Sequence, residues 1–357
     1  MSEIQQQGMY AIALGTAGGP KWWGKENVDA GISTAIVIDG SVYLVDFGSG
    51  AGRQLRNAGF TFTDVEALFV THMHSDHTVD LASLLLIGHH EVKDEKLTIL
   101  GPGPRGKLPP LTERASSTPS LVCPDDPVPG IEKTFERLVA TYSTDINDRM
   151  FDYGTVSPAS KFHVQDIEIP VGVPFDPNEN VAPTMEPFLI FQDEKVRVRA
   201  ILVSHHPTAP AYAFRFDSEH GSIVVSGDTG YCENMVTIAR DCDVLFHEAI
   251  ALETIEQQML QAFPDPDAYA AMMSHHRRSH TTAYDAGEVA RRARVRTLVL
   301  HHLVPADAPM RAWYKATDTF DGEFVVAKDL QIIPLNASAA GDSDSPARGE
   351  ITTSQFA

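Results

Sequence analysis

The segment Thr71-His72-Met73-His74-Ser75-Asp76-His77 puts four residues able to bind a metal within six positions. Alternate residues of an extended segment point the same way, so His72 and His74 can hold one cation together. Asp76 and His77 follow at the next turn and can reach a second cation beside the first. Packing explains this cluster poorly. Buried imidazoles need hydrogen-bond partners, and an unpaired Asp beside them in a dry core is costly. Two adjacent cations lower the pKa of a shared water towards neutrality and polarise the scissile bond. A metal-bound hydroxide then attacks phosphorus, sulfur or carbon with no need of a protein nucleophile. No Gly-x-Ser-x-Gly elbow suggests a serine alternative. Zinc is the default ion for a His-rich N/O site, with manganese or iron as alternatives.

Two cations need further ligands, and three candidates stand where strands are expected to end. His205 closes one strand, Asp228 follows another in Ser226-Gly227-Asp228-Thr229-Gly230, and His302 follows a third. Ligands gathered from several strand ends are a common way for α/β scaffolds to build sites. Asp228 can bridge two cations through its two oxygens, although an Asp beside glycines ordinarily reads as a turn residue. His206 and His301 compete with their neighbours His205 and His302. A leaving group needs a proton, and His280 is the candidate donor, 22 residues before His302. The alternative for His280 and Thr281 is helix capping alone. Glu248, in His247-Glu248-Ala249, could orient nearby histidines. Asp76, His280 and Glu248 form the candidate catalytic set, with Asp76 also a ligand. His275 and His276, beside Arg277 and Arg278, read as a solvated loop, with the lining of the site entrance as the alternative. His89 and His90 read the same way. Trp22 and Trp23 read as cover for a core edge or as contacts for an aromatic substrate.

The elements that must position these residues are legible in outline. Tyr10–Leu14, Thr34–Ile38 and Val42–Asp46 read as short strands broken by glycines. Gly50–Ala58 reads as a helix. Ala67–Val70 is a strand running directly into the first motif, a helix over Thr78–Ile87 follows, and Leu97–Leu100 is another strand. Residues 101–190 hold 14 of the 23 prolines. Only Ile131–Thr144 reads as a helix there, and the proline density argues against a continuous sheet. This stretch is expected to be an inserted, lid-like segment over the site. Beyond it, Val196–Val203, Ala211–Phe216, Ser222–Ser226, Asp243–Phe246 and Thr297–Leu300 read as strands, with helices at Cys232–Arg240 and Thr282–Ala293. Residues 1–336 are expected to form one domain, and 337–357 a disordered tail.

With these segments in order, the chain resembles the metallo-β-lactamase superfamily, most closely the branch of ribonuclease Z and the zinc arylsulfatases. The resemblance rests on Leu14-Gly15-Thr16-Ala17-Gly18-Gly19-Pro20, Leu44-Val45-Asp46-Phe47-Gly48, the His72–His77 motif and Ser204-His205 with Pro210-Ala211-Tyr212. It continues through Ser226-Gly227-Asp228-Thr229, His247-Glu248-Ala249, His280-Thr281-Thr282-Ala283 and Leu298-Val299-Leu300-His301-His302-Leu303. It implies an α/β fold, the αββα sandwich, with the Pro-rich insertion added. It also implies the ligand sets: His72, His74 and His205 on one ion, Asp76, His77 and His302 on the other, and Asp228 between them. Asp46 would orient ligand loops. His205 is preferred to His206 for its spacing to Tyr212. His302 is preferred to His301, which stands where the family usually has Thr or Ser. His280 matches the general acid of the ribonuclease Z-like members, and a homodimer is implied.

Composition bounds the rest. A chain of 357 residues with 43% hydrophobic content can bury a sizeable core. Cys123, Cys232 and Cys242 make no disulfide framework. The polar start, Met1 to Gln7, has no signal-peptide pattern, and no apolar run is long enough for a membrane helix. These features predict a cytoplasmic protein without membrane contact. The net charge is -20, which opposes phosphate backbones, and the run Arg291, Arg292, Arg294, Arg296 reads as a solvated helix face. Only 22 residues separate His205 from Asp228, which leaves no room for the protruding arm of tRNA-processing members. The expectation is therefore a small-molecule substrate and no nucleic acid: an aryl sulfate or phosphate ester, or alternatively a lactone or a halogenated aromatic ring. A non-catalytic metal-binding protein is the remaining alternative. tRNA 3′ processing is set aside.

Overall fold

The computed structural model describes residues 7–19, 29–92, 96–111, 115, 117–262 and 265–335. Fourteen strands form two seven-stranded sheets. The first holds β1 (Met9–Gly15), β2 (Ser33–Ile38), β3 (Ser41–Val45), β4 (Val65–Phe69), β5 (Leu97–Pro102) and β6 (Phe162–Ile167). The second holds β7 (Phe188–Gln192), β8 (Arg197–Leu202), β9 (Tyr212–Ser218), β10 (Gly221–Val225), β11 (Val244–Ile250), β12 (Thr297–Val304) and β13 (Glu323–Val326). The last strand, β14 (Gln331–Pro334), crosses back and pairs with β1.

Both sheets are mixed in the same way. β1–β3 and β7–β10 pair antiparallel, whereas β3–β6 and β10–β13 pair parallel. Parallel pairing requires crossover connections, and these supply the outer layers. On the first sheet lie α1 (Ala51–Asn57), α2 (Ser75–Thr78), α3 (Leu81–Gly88), α4 (Ile131–Thr141) and α5 (Ser143–Tyr153). The second sheet carries α6 (Glu233–Ile238), α7 (Leu252–Ala262), α8 (Pro266–Ser279), α9 (Ala283–Ala293) and α10 (Met310–Trp313). The result is the expected αββα sandwich, with both faces of its central strands buried.

The inter-sheet core explains the strand composition. Phe69, Phe214, Phe216 and Phe246 are fully buried between the sheets. Phe69 sits edge-on to Phe216, with ring centroids 5.4 Å apart. Separate apolar layers hold α1, α3 and α4 to the first sheet, and α6 and α9 to the second.

Several expectations change. Residues 101–190 contribute more regular structure than their prolines suggest: β6 pairs along β5 at the sheet edge, and α5 follows α4 after one residue. The prolines of this stretch lie almost wholly outside these elements. The helix expected over Thr78–Ile87 is interrupted after Thr78, with α3 beginning at Leu81. The loop expected around His275 and His276 is the C-terminal half of α8, opened by an Asp265 cap and Pro266. Trp22, Trp23 and the tail 337–357 lie outside the described residues. Among the described residues, no helix is long and apolar enough to cross a membrane.

Phe69→Ala removes the ring on which Phe191, Phe214 and Phe216 converge. It is expected to destabilise the fold by about 3–5 kcal/mol, read as a lowered urea midpoint at constant slope.

Candidate metal centre

The chain delivers most of its ligand candidates just beyond the C-terminal ends of strands. β4 ends at Phe69, and the following backbone turns through His72 and His74 into the short helix α2, which carries Asp76 and His77. His205 follows β8, and Asp228 follows β10 at a turn where Gly227 has φ 58°. A Cβ at Gly227 would meet the Tyr212 carbonyl oxygen at 2.6 Å, so glycine is required there. His302 lies inside β12 rather than beyond it. Glu248 pairs with His301 and Ala249 with Leu303, so His302 is the extra residue of a bulge and has φ 44°. The bulge turns the imidazole out of the strand's alternation and into the site.

These side chains converge in two groups. His74 Nδ1 stands 3.1 Å from both His72 Nε2 and His205 Nε2. His77 Nε2 stands 3.0 Å from His302 Nε2, and Asp76 Oδ2 lies 3.5 Å from His302 Nε2. Asp228 sits between the groups. Its Oδ2 is 3.9 Å from His72 Nε2 and from His205 Nε2, and its Oδ1 is 3.2 Å from His77 Nε2 and from His302 Nε2. His301 and His206 stand outside both groups.

The donor set fits metal ions. His205 Nδ1 donates to the Ser279 carbonyl at 2.8 Å, and His77 Nδ1 donates to Asp46 Oδ2 at 2.8 Å. Each therefore turns a lone pair at Nε2 inward. Bare lone pairs facing one another at 3.0–3.1 Å repel, and Asp228 Oδ1 is buried with no hydrogen-bond partner. A tetrahedral cation with ligands at about 2.0–2.1 Å sets its donor atoms roughly 3.3 Å apart, close to the spacing seen here.

Electrostatics point the same way. Burial, then the surrounding imidazoles, holds His72 well below its usual pKa, and burial does the same for His205, so both are neutral as ligands must be. Burial opposes a proton on His77, but Asp228, Asp46 and Asp76 outweigh it and draw one on. Burial disfavours the charged form of Asp228, and His302 and His77 overcome this to keep it ionised. A cation between these groups would take the place of that proton.

The supports are mostly backbone-level and invisible to motif reading. Asp46, itself at φ 60°, accepts from Thr71 N at 2.8 Å, Thr71 Oγ1 at 2.7 Å and His77 Nδ1, so one carboxylate fixes the start of the motif and a ligand tautomer. Thr208 Oγ1 lies 2.6 Å from His74 Nε2, which leaves Nδ1 to face the group. Gly19 N donates to Asp76 Oδ2 at 3.0 Å, and a Cβ at Gly18 would strike His302 Nδ1 at 2.4 Å. Of these, Thr71, Gly18 and Gly19 fall within sequence motifs, but only Asp46 was given an orienting role from sequence.

His280 caps α8 beside the centre. Its Nδ1 is 3.1 Å from Glu248 Oε1 and 3.9 Å from Asp228 Oδ2. Glu248 Oε1 also accepts from the backbone N–H groups of Thr229 and Thr281. His247 is fully buried, and its Nδ1 donates to the Glu248 carbonyl, outside both ligand groups. His301 is buried against Phe246, with Nδ1 3.4 Å from Thr34 Oγ1. His89 and His90 belong to a turn after α3, remote from the ligand groups.

Two outcomes follow from this geometry. Asp46→Asn is expected to lower metal affinity by about 10–100-fold, measured by competition with a chromophoric chelator. Gly18→Ala is expected to displace His302 and lower the bound metal per chain, measured by elemental analysis of the dialysed protein.

Comparison with known proteins agrees with the fold and corrects the substrate. The family model described as the beta-lactamase superfamily domain matches residues 151–303, and that of the anti-Pycsar protein Apyc1 matches residues 31–104. A protein named ribonuclease Z from Mycobacterium sp. (strain KMS) is 28% identical over 314 residues, spanning 86% of this chain and 90% of its own. One of the same name from Mycolicibacterium gilvum (strain PYR-GCK) is 26% identical, spanning 86% of this chain and 91% of its own. Among solved structures, human tRNase Z, short form, superposes with a TM-score of 0.57 at 18% identity, covering 92% of this chain and 99% of that one. The metallo-beta-lactamase fold protein YhfI from Bacillus subtilis gives 0.56 at 20% identity, covering 91% and 98%. At those identities the structures speak for the fold alone.

The expectation of an aryl sulfate or phosphate ester, with its lactone and haloaromatic alternatives, does not stand against relatives named ribonuclease Z across most of the chain. The exclusion of nucleic acid and of tRNA processing falls with it. The physical error lies in using a net charge of -20. That sum runs over the whole surface, whereas a substrate meets only the rim of one site. The short His205–Asp228 interval excludes an arm at that place, not an RNA substrate. The two sheets have the metallo-β-lactamase fold, residues 151–303 match the beta-lactamase superfamily domain, and with these relatives they identify the chain as a metal-dependent hydrolase.

Proposed function

We propose that this chain is a metal-dependent phosphodiesterase that cleaves RNA, as the name ribonuclease Z implies for its relatives, with transfer RNA precursors as the first substrate to try. One observation carries the reading: Asp228 turns one carboxylate oxygen to each of two nitrogen groups. Two zinc ions are the cofactor proposed, held by His72, His74 and His205 on one side and by Asp76, His77 and His302 on the other, with Asp228 between. When bound, such a pair supplies Lewis acidity, which ionises water and offsets charge on a phosphoryl group.

The remaining work belongs to the chain. His77 and His205 are held by Asp46 and by the Ser279 carbonyl, so their inward nitrogens need no reorganisation. Glu248 anchors Nδ1 of His280 and leaves Nε2 for the substrate. The departing ribose oxygen needs a proton, and His280 gives it from Nε2. Burial alone would strip that proton, but Glu248, then Asp228 and Asp76, raise the pKa of His280 to about 9. His280 is thus charged at neutral pH and ready as an acid.

Activity on a transfer RNA precursor, followed on a gel, is expected to disappear on chelation and return with zinc. His72→Ala is expected to remove it with the melting temperature of the metal-free protein unchanged. RNA cleavage that survives metal removal would overturn the reading. A second test uses the sign of the His280 shift. A group needed in its protonated form loses function as pH rises through its pKa. Glu248→Gln removes the main charge that raises this pKa, so the alkaline limb of the pH–rate profile is expected to move to lower pH. An unmoved limb contradicts the role given to His280.

A further inference from the structure

On so acidic a chain, one rim of the metal centre is cationic. The last turn of α8 carries His275, His276, Arg277 and Arg278 directly before Ser279, whose carbonyl accepts from His205 Nδ1, and before His280. Ser279 Oγ donates to the His206 carbonyl, which ties this turn to the loop bearing His205. Arg278 is exposed, and its Nε donates to Ser274 O at 3.4 Å. No carboxylate lies within ion-pair distance of it among the described residues. Arg277, by contrast, faces Glu256 at 3.8 Å.

Across the same loop lies Arg105, which is buried. Its guanidinium donates to the carbonyls of Pro207, Lys107 and Pro177 and to Asn178 Oδ1, all neutral acceptors. A buried guanidinium without a carboxylate partner is costly to keep. Asp176, which pairs with Lys107, offsets this charge only from a distance, so part of it adds to the field at the rim. The charges of Arg278 and Arg105 both bear on His206, which lies between them and whose pKa burial and these two cations lower. Burial, then His280, pushes His275 and His276 down to about 4, so at neutral pH they offer N–H donors rather than charge.

We propose that Arg278, backed by Arg105 and flanked by the half-buried His206 and His275, is a phosphate-binding site beside the metal centre, which holds a backbone phosphate of the RNA strand next to the one cleaved. This rests on the RNA reading above and names the side of the site along which the strand runs. Arg277 and the ion-paired Lys107 lie at its margins. The positive charge is local and sits where a polyanion arrives, which reconciles a net charge of -20 with a nucleic-acid substrate.

The test is RNA binding by the zinc-loaded full chain. The probe is a fluorescein-labelled single-stranded RNA followed by anisotropy, with its integrity checked on a gel. Arg278→Gln is expected to weaken binding about 5-fold or more at low salt. The slope of log affinity against log salt should also become shallower by roughly 0.7–0.9. Arg278→Lys is expected to recover most of the affinity. Arg294→Gln removes an equal charge from a remote ion pair with Asp241 and is expected to change nothing. Equal binding by wild type and Arg278→Gln overturns the proposal, as does a wild type that binds no RNA. RNA bound through Arg278 but left uncleaved leaves this site standing and sinks the phosphodiesterase reading instead.

Discussion

A buried carboxylate between two sets of inward-facing imidazole lone pairs is an arrangement that a protein interior does not hold without positive charge to answer it. Asp228 occupies that position, with one oxygen towards His72 and His205 and the other towards His77 and His302. The carboxylate is almost fully buried, and no side-chain donor reaches Oδ1. Much of the surrounding architecture can be read as the means of setting this group in place: a glycine turn after β10, a bulge in β12 and a strained Asp46 after β3.

The sandwich makes such a centre affordable in conformational terms. β4, β8 and β10 end together at one edge, so short loops from them meet without any long excursion of the chain. The inter-sheet aromatic core fixes the strands, and the strands fix the loops. Rigidity then passes outward through backbone contacts: Ser279 to His205, Gly19 to Asp76, Thr208 to His74. Ligands held this way lose little freedom when a cation arrives, which is how a protein keeps affinity high and geometry uniform.

Sequence reading named the parts whose chemistry is written in residue type. The His72–His77 motif, the lone His and Asp at strand ends, and the alternating strands around them all carry local signals. It failed where the determinants are non-local. The bulge that re-aims His302 depends on the register between β11 and β12. The helix α8 around His275 and His276 was hidden by its polar surface, since only Met273 and Ser279 are buried along it. β6 was obscured by prolines that flank rather than fill it. The sharpest failure concerned the substrate. A summed charge was treated as if it described a surface, and the cations of α8 were assigned to solvent because a charge run usually belongs there.

The central claim is that Asp228 joins two cations, not one. The direct measurement is electron paramagnetic resonance of the metal-free chain reloaded with manganese(II). The account predicts about two ions per chain and an exchange-coupled pair signal that Asp228→Ala abolishes. A single uncoupled ion per chain, or a coupled signal that persists without the Asp228 carboxylate, would contradict it.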